Sequence, residues 1–298
     1  MKIFLTGKNG QLGYQLECDL KKFHEVIATD RSALDLKDTQ SIEDTINKIK
    51  PDLIINAAAY TNVDKAETEK DLSYQVNALA PKALTKVSKT LDIPIIHIST
   101  DYIFDGSKKD TYVEDDEANP LSVYGKTKWQ GEEFVRQNPK HFILRTSWVF
   151  SSHGHNFLKT IIKLAQEKTS LNVVDDQWGA PTSVKTLSEA IKAIIQHIDV
   201  KNNLEIYGTY HVTSRGETNW YLYARKILDI LKSFKIESKL KRNDVYPIPS
   251  SQYPQDAMRP RNSRMNTTKF KNTFMLEFPQ WENEVEDVIS QIIKSLNK

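Results

Sequence analysis

Five apolar runs in the first 150 residues each end on glycine, alanine or a small polar cluster, and helical periodicity follows most of them. The runs lie in KIFLTG, EVIATD, PDLIINAAA, IPIIHISTD and HFILRTSWVF. They are continuous rather than alternating, the pattern of strands buried on both faces, as in a parallel sheet covered by helices. Between them NGQLGYQLECDLKK, QSIEDTINKIK, DLSYQVNALAPKALTKVSKTL and NPLSVYGKTKWQGEEFVRQN carry helical spacing, and Pro51 marks the end of the second helix. Successive strand–helix units of this kind predict an α/β fold built on a doubly wound parallel sheet.

The rhythm changes near residue 150. NFLKTIIKLAQEK, TSVKTLSEAIKAIIQHI and TNWYLYARKILDILKSF read as helices, and LNVVDD and GTYHVTS as short strands. YPIPSSQYPQDAMRPRNS is too rich in proline for a central strand or helix. A last helix from about Trp281 puts Val285, Val288, Ile289, Ile292 and Ile293 on one side. At 298 residues two lobes are expected. Residues 1–150 form the nucleotide-binding one and 151–298 a smaller α/β substrate lobe, with 177–215 returning to the first. EDDE at 114–117 reads as solvated, and Cys18, the only cysteine, as a core position under the first helix.

A net charge of +2 gives no long-range attraction for nucleic acid, and no apolar run approaches the roughly 18 residues that span a bilayer. The N-terminus enters a strand by its third residue rather than a signal sequence, so a cytoplasmic protein is expected.

Chemistry-bearing residues fall at successive strand ends. Gly7, Gly10 and Gly13 stand between the first strand and the first helix, where glycines let the backbone turn tightly and approach a pyrophosphate. Asp30 closes the second strand, about 20 residues on, where an acid binds ribose hydroxyls; Arg31 beside it suits a 2′-phosphate. The acid argues for NADH and the arginine for NADPH. Asp35 and Leu36 are placed to flank an adenine, and Ala57, Ala58 and Ala59 would let a cofactor lie close over the sheet edge. Ser99, Thr100 and Asp101 follow the fourth strand. Tyr124 and Lys128 share a helix face at i and i+4, where an ammonium can lower a phenol's pKa from about 10 toward neutrality. That makes Tyr124 the expected proton donor.

The stretches TGKNGQLG, NAAAYTNVDKAE, STDYIFDG, PLSVYGKTKWQGE, RTSWVF, DQWGAPTS and RPRNSRMNTTKF, with PQWE near the end, resemble the extended short-chain dehydrogenase/reductases. Within them they resemble the dTDP-4-dehydrorhamnose reductases over essentially the whole chain. The resemblance implies a Rossmann-type sheet and NAD(P)H-dependent reduction of dTDP-4-dehydro-L-rhamnose, a dTDP-sugar, to dTDP-L-rhamnose. It implies Tyr124 as proton donor, Lys128 as its activator and Thr100 as the tuning hydroxyl. It matches Gly10, Gln11, Leu12, Asp30, Asp35, Leu36, Ala59, Tyr60 and Thr61 to cofactor-contacting positions. Thr100, Asp101, Trp148 and Arg259 match substrate-binding ones. Some relatives are dimers bridged by magnesium through glutamates. Gln15 and Lys185 stand at those positions here, so no structural magnesium and a monomer or weak homodimer are expected. Two histidines in HGH at 153–155 lack a third ligand. Three rival readings share this framework: a sugar-nucleotide epimerase or dehydratase, a reductase of another deoxysugar nucleotide, and a non-catalytic regulatory subunit of the methionine adenosyltransferase type. An intact Thr100, Tyr124 and Lys128 speak against the last.

Overall fold

In the computed structural model, which describes residues 1–200 and 204–296, six strands align in parallel: β1 (Lys2–Thr6), β2 (Glu25–Thr29), β3 (Leu53–Asn56), β4 (Ile95–Thr100), β5 (His141–Thr146) and β6 (Gly208–His211). Their order across the sheet is β6-β5-β4-β3-β1-β2. The order reverses between β1 and β3, so the loops leaving those strands diverge and open a crevice at their carboxyl ends. The register is continuous: Thr6 sits opposite both Thr29 and Asn56, and Thr100 opposite Thr146.

Both sheet faces are covered, which is why the strands carry apolar residues without alternation. One face packs on the helices Gln11–Leu20 and Val184–Val200, burying Ile3, Leu5, Leu53, Ile55, Leu187 and Ile191. The other packs Phe4, Ile54, Ile95 and Ile143 against the helices Thr39–Ile49 and Ala80–Thr90 and against Val135. Each fully buried aliphatic side chain contributes about 1.5–3 kcal/mol. A separate apolar cluster joins the helices Phe157–Glu167, Trp220–Ser233 and Trp281–Leu296 through Leu158, Ile161, Ile227, Leu231, Val285 and Ile289. Among the described residues no helix is long and apolar enough to cross a membrane.

Four details depart from the sequence reading. Cys18 is exposed, because Leu12, Leu16 and Leu20 form the buried stripe of the first helix and Cys18 falls on its other side. Glu114 is not simply solvated: it is half-buried, accepts the His211 backbone N–H at 2.9 Å, and its carbonyl accepts from Arg145 at 2.9 Å. HFILRTSWVF is two strands, since Trp148 adopts φ +47° and sends Val149–Phe150 to pair with Thr182–Ser183. The proline-rich stretch opens inside a strand, Val245–Ile248, that among the described residues pairs with Leu171–Val174; Pro247 is accommodated in that two-stranded ladder.

Candidate active site

A cleft of about 820 Å³ runs along the carboxyl ends of β1 to β5. Its first wall is the turn after β1. Gly7 has φ +78°, and a Cβ there would lie 2.9 Å from the Ala58 backbone, so only glycine allows the β1 and β3 turns to approach this closely. A Cβ on Gly13 would lie 2.0 Å from the Gly7 carbonyl oxygen. The Gly10 N–H closes the turn onto that oxygen at 2.9 Å, and the helix begins at Gln11. Gly7, Gly10 and the Ala57–Ala59 turn wall the cleft ahead of that helix N-terminus. That surface fits a pyrophosphate.

Asp30, at the end of β2, accepts from Ser32 Oγ at 2.6 Å, Ser32 N at 3.0 Å, Ala33 N at 3.1 Å and Asn9 Nδ2 at 3.1 Å, with Lys8 Nζ at 3.3 Å. These donors, Ser32 foremost, hold its carboxyl well below the usual range. Arg31 is exposed at the same rim, and Leu34, Asp35 and Leu36 complete that end. Past β3, Ala59, Tyr60 and Thr61 line the floor. The Tyr60 backbone is held on both sides by Asn77, whose Oδ1 accepts its N–H at 2.8 Å and whose Nδ2 donates to its carbonyl at 3.1 Å. Asn77 lies in a π-helical turn, Gln75–Leu79, that rotates its amide toward the loop. Sequence reasoning took the whole stretch as ordinary helix and missed this residue.

At the opposite end stand Thr100, Asp101, Tyr124 and Lys128. Ser122 caps the Val123–Val135 helix by accepting the Gly125 N–H at 3.1 Å, and Glu67 accepts the Val123 N–H at 2.8 Å. These two contacts fix the first turn and, with it, Tyr124. The helix is bound to the sheet through Glu132, which is fully buried and receives Arg145 Nε at 3.1 Å, Arg145 Nη2 at 2.9 Å and the Ser99 hydroxyl. A buried carboxylate is tolerated only with such complete pairing.

The Tyr124 phenol is buried, beside the Thr100 hydroxyl and edge-on to Tyr102 at 5.5 Å. Burial pushes it up to about 12, against the pull of Thr100. The expected lowering by Lys128 is therefore absent in this state. The spacing put the two residues on one face, but the Lys128 ammonium is turned to the Ile98 carbonyl at 2.6 Å, and burial brings it down to about 8. Asp101 accepts from Thr100 Oγ1 at 3.0 Å and lies beside the Ser263 hydroxyl, but no well-aligned hydrogen bond reaches its buried Oδ2. Burial raises that carboxyl to about 6. Thr146 Oγ1 on β5, opposite Thr100, is likewise buried and unpartnered. Two orphaned polar atoms facing a cleft are what a polar ligand would satisfy.

Gly7, Gly10, Gln11, Leu12, Asp30, Arg31, Asp35, Leu36, Ala59, Tyr60, Thr61, Thr100, Asp101, Tyr124, Lys128 and Trp148 all line this one cleft. Gln11 also ties the two halves of the chain: its Oε1 accepts from Ser151 at 3.0 Å and Asn156 at 2.8 Å. Arg259 stands apart. It pairs with Asp64 at 2.6 Å and lies outside the cleft lining, where its charge acts on the Tyr102 phenol that does line it. Trp148 stacks on Trp220 at 3.7 Å, and Trp220, from the helix Trp220–Ser233, also lines the cleft without any signal in local sequence having marked it.

Residues 1–293 match the family model described as the RmlD substrate binding domain. A dTDP-4-dehydrorhamnose reductase of Salmonella typhimurium is 39% identical over 98% of this chain and 98% of its own. The crystal structure of a dTDP-4-dehydrorhamnose reductase from Clostridium acetobutylicum superposes with a TM-score of 0.89 at 38% identity, covering 98% of this chain and 100% of that one. That of Bacillus anthracis, in complex with NADP, gives 0.88 at 33% identity over 97% and 99%. A UDP-glucose 4-epimerase from Thermotoga maritima, at 17% identity and a TM-score of 0.79, shares the fold. The chain belongs to the RmlD substrate-binding-domain family, that of the dTDP-4-dehydrorhamnose reductases.

Proposed function

We infer that this protein reduces the 4-keto group of dTDP-4-dehydro-L-rhamnose to give dTDP-L-rhamnose, the last step of dTDP-rhamnose synthesis, with NADPH or NADH as donor. The observation that carries the reading is the convergence of buried Thr100, Tyr124 and Lys128 at one end of a cleft whose other end is a glycine cradle and the Asp30–Arg31 corner.

The cradle at Gly7 and Gly10, with the Ala59–Thr61 floor, fits the pyrophosphate of a dinucleotide, and Asp30, Arg31, Asp35 and Leu36 fit its adenosine end. When bound, the reduced nicotinamide supplies a hydride to the sugar's carbonyl carbon. Negative charge then develops on the carbonyl oxygen, and an O–H donor positioned there stabilises the transition state. Tyr124 is that donor, and Thr100 holds the phenol in place. A phenol pushed up to about 12 keeps its proton at neutral pH, as an acid must before transfer. Lys128 restores the proton once it is spent. Asp101 Oδ2 and Thr146 Oγ1 receive or donate to sugar hydroxyls, and Trp148, backed by Trp220, forms an apolar wall for the deoxysugar.

The lobes divide at about residue 150, and 177–215 returns to the first: β6 and the helix Val184–Val200 both pack with the sheet. Activity in the cytoplasm, as a monomer or weak homodimer, completes the reading. Arg259 acts by holding Tyr102 against Tyr124 or by turning to the nucleotide once Asp64 releases it. Product identification tests the proposal: one dTDP-L-rhamnose should form per NADPH oxidised. Turnover with recycled cofactor would assign an epimerase or dehydratase instead, and inactivity with normal cofactor binding would assign another keto-sugar or a regulatory role.

A further inference from the structure

Behind Lys128 lies a buried polar chain that the reaction as described leaves unused. The Ala58 backbone N–H meets Thr6 Oγ1 at 3.3 Å, and Thr6 Oγ1 meets Asn56 Oδ1 at 2.7 Å. Asn56 Nδ2 meets His97 Nδ1 at 3.0 Å, and His97 Nε2 meets Lys128 Nζ at 3.5 Å. Thr6, Asn56, His97 and Lys128 are each at most 2% exposed.

The chain has a direction. The Ala58 amide donates to Thr6 Oγ1, and with Asn56 oriented as it is, its Oδ1 toward that hydroxyl, Thr6 donates in turn to Asn56 Oδ1. The amide nitrogen of Asn56, a donor, is then left facing His97 Nδ1. Nδ1 must carry the lone pair, and the ring proton sits on Nε2, pointing at Lys128. An ammonium has no lone pair to accept it, whereas an amine has one and can still donate to the Ile98 carbonyl.

The geometry points to His97 as a positioning residue that holds Lys128 poised to release a proton, by presenting its Nε2–H to the amine that remains. This rests on the reductase reading above. The protons balance: the Tyr124 O–H bond breaks as its proton joins the carbonyl oxygen. An Nζ–H of Lys128 then gives its proton to the phenolate, and the resulting amine accepts from His97. Solvent returns one proton to Lys128 after product leaves.

The titratable groups that face Lys128 are Glu132 on its own helix and His97 on β4; Tyr124 and Asp101 line the same cleft. Glu132 favours the ammonium but is already engaged by Arg145 and Arg136, and Asp101 is engaged by Thr100. Burial, and then the charge of Lys128, keeps His97 neutral. Its ring proton therefore stays where Asn56 directs it.

Two measurements test the assignment. In the cofactor-free full-length protein with ¹⁵N-labelled histidine, His97 should show the Nε2–H tautomer throughout about pH 6–8. The signal is identified by its loss in His97→Leu. An Nδ1–H tautomer overturns the proposal, and this readout does not depend on which substrate the enzyme takes. In His97→Leu the amine loses its partner, so the basic limb of the kcat profile should move up by about one pH unit and kcat near neutrality should fall about tenfold. A limb unmoved in a variant that binds NADPH normally also overturns it. Should His97→Leu not fold, the tautomer of the wild-type protein, assigned through Asn56→Ala instead, decides alone.

Discussion

Gly125, the residue after Tyr124, offers a sharp test of how the helix that carries Tyr124 is placed. A Cβ built there would lie 2.3 Å from the Tyr102 carbonyl oxygen and 3.0 Å from Pro120 Cβ. A carbon–oxygen contact needs about 3.3 Å, so Gly125→Ala forces the first turn of the Val123–Val135 helix roughly 1 Å away from the end of β4. Neither obstacle yields easily, since one is main chain and the other a proline ring. Overpacking of this kind costs about 1–3 kcal/mol, and for a chain of this size each kcal/mol lowers Tm by roughly 2–4 °C. The catalytic effect is larger. Tyr124 moves with the turn while Thr100 stays with β4, and a misplacement of about 1 Å costs on the order of 10²-fold in rate. The glycine cradle is at the other end of the cleft and is untouched. Steady-state kinetics, NADPH titration and a melting curve on one preparation read all three quantities. The expected result is kcat down about 100-fold, NADPH affinity unchanged and a Tm lower by several degrees. An unchanged kcat would show that the close approach of helix and strand does not govern the chemistry.

Two further outcomes follow from single residues. Arg31→Ala should weaken NADPH about tenfold or more, the worth of one charge-assisted hydrogen bond, and leave NADH nearly unaffected; equal loss in parallel titrations would remove the 2′-phosphate role. Asp101 has a folded pKa of about 6 against an unfolded value near 3.8, so its contribution to stability is fully present below about pH 3.8 and is lost as pH rises through 6. Asp101→Asn should therefore raise Tm more at pH 8 than at pH 4, and a gain independent of pH, measured by calorimetry, would contradict the burial argument.

Much of this arrangement was legible because each β–α unit writes its strand as an unbroken apolar run and its cleft-lining residues directly after it. Asp30, Thr100 and Asp101 could be placed in one cleft from the order of the runs alone. Features set by tertiary contacts were not. The i, i+4 spacing of Tyr124 and Lys128 gives a shared face but cannot say that Lys128 turns to the Ile98 carbonyl. Trp220 enters the cleft only because the left-handed Trp148 stacks on it, from a helix 72 residues later in the chain. Asn77 needed the π-helical turn, which no periodicity in the sequence announces. Cys18 was different: the stripe of Leu12, Leu16 and Leu20 already excludes it from the core, and the helical spacing should have shown this. Glu114 looked solvated inside an acidic run because its partners, Arg145 and the His211 backbone, come from strands distant in sequence.

The central claim is that the Tyr124 phenol delivers the proton while other residues hold the cofactor. It is tested most directly by single-turnover oxidation of bound NADPH with dTDP-4-dehydro-L-rhamnose in Tyr124→Phe beside the wild type. Loss of about 10²–10⁴-fold in the rate, with NADPH affinity retained, is the predicted result. A variant that oxidises NADPH at the wild-type rate would show that the proton comes from elsewhere, and the assignment of the site would fall with it.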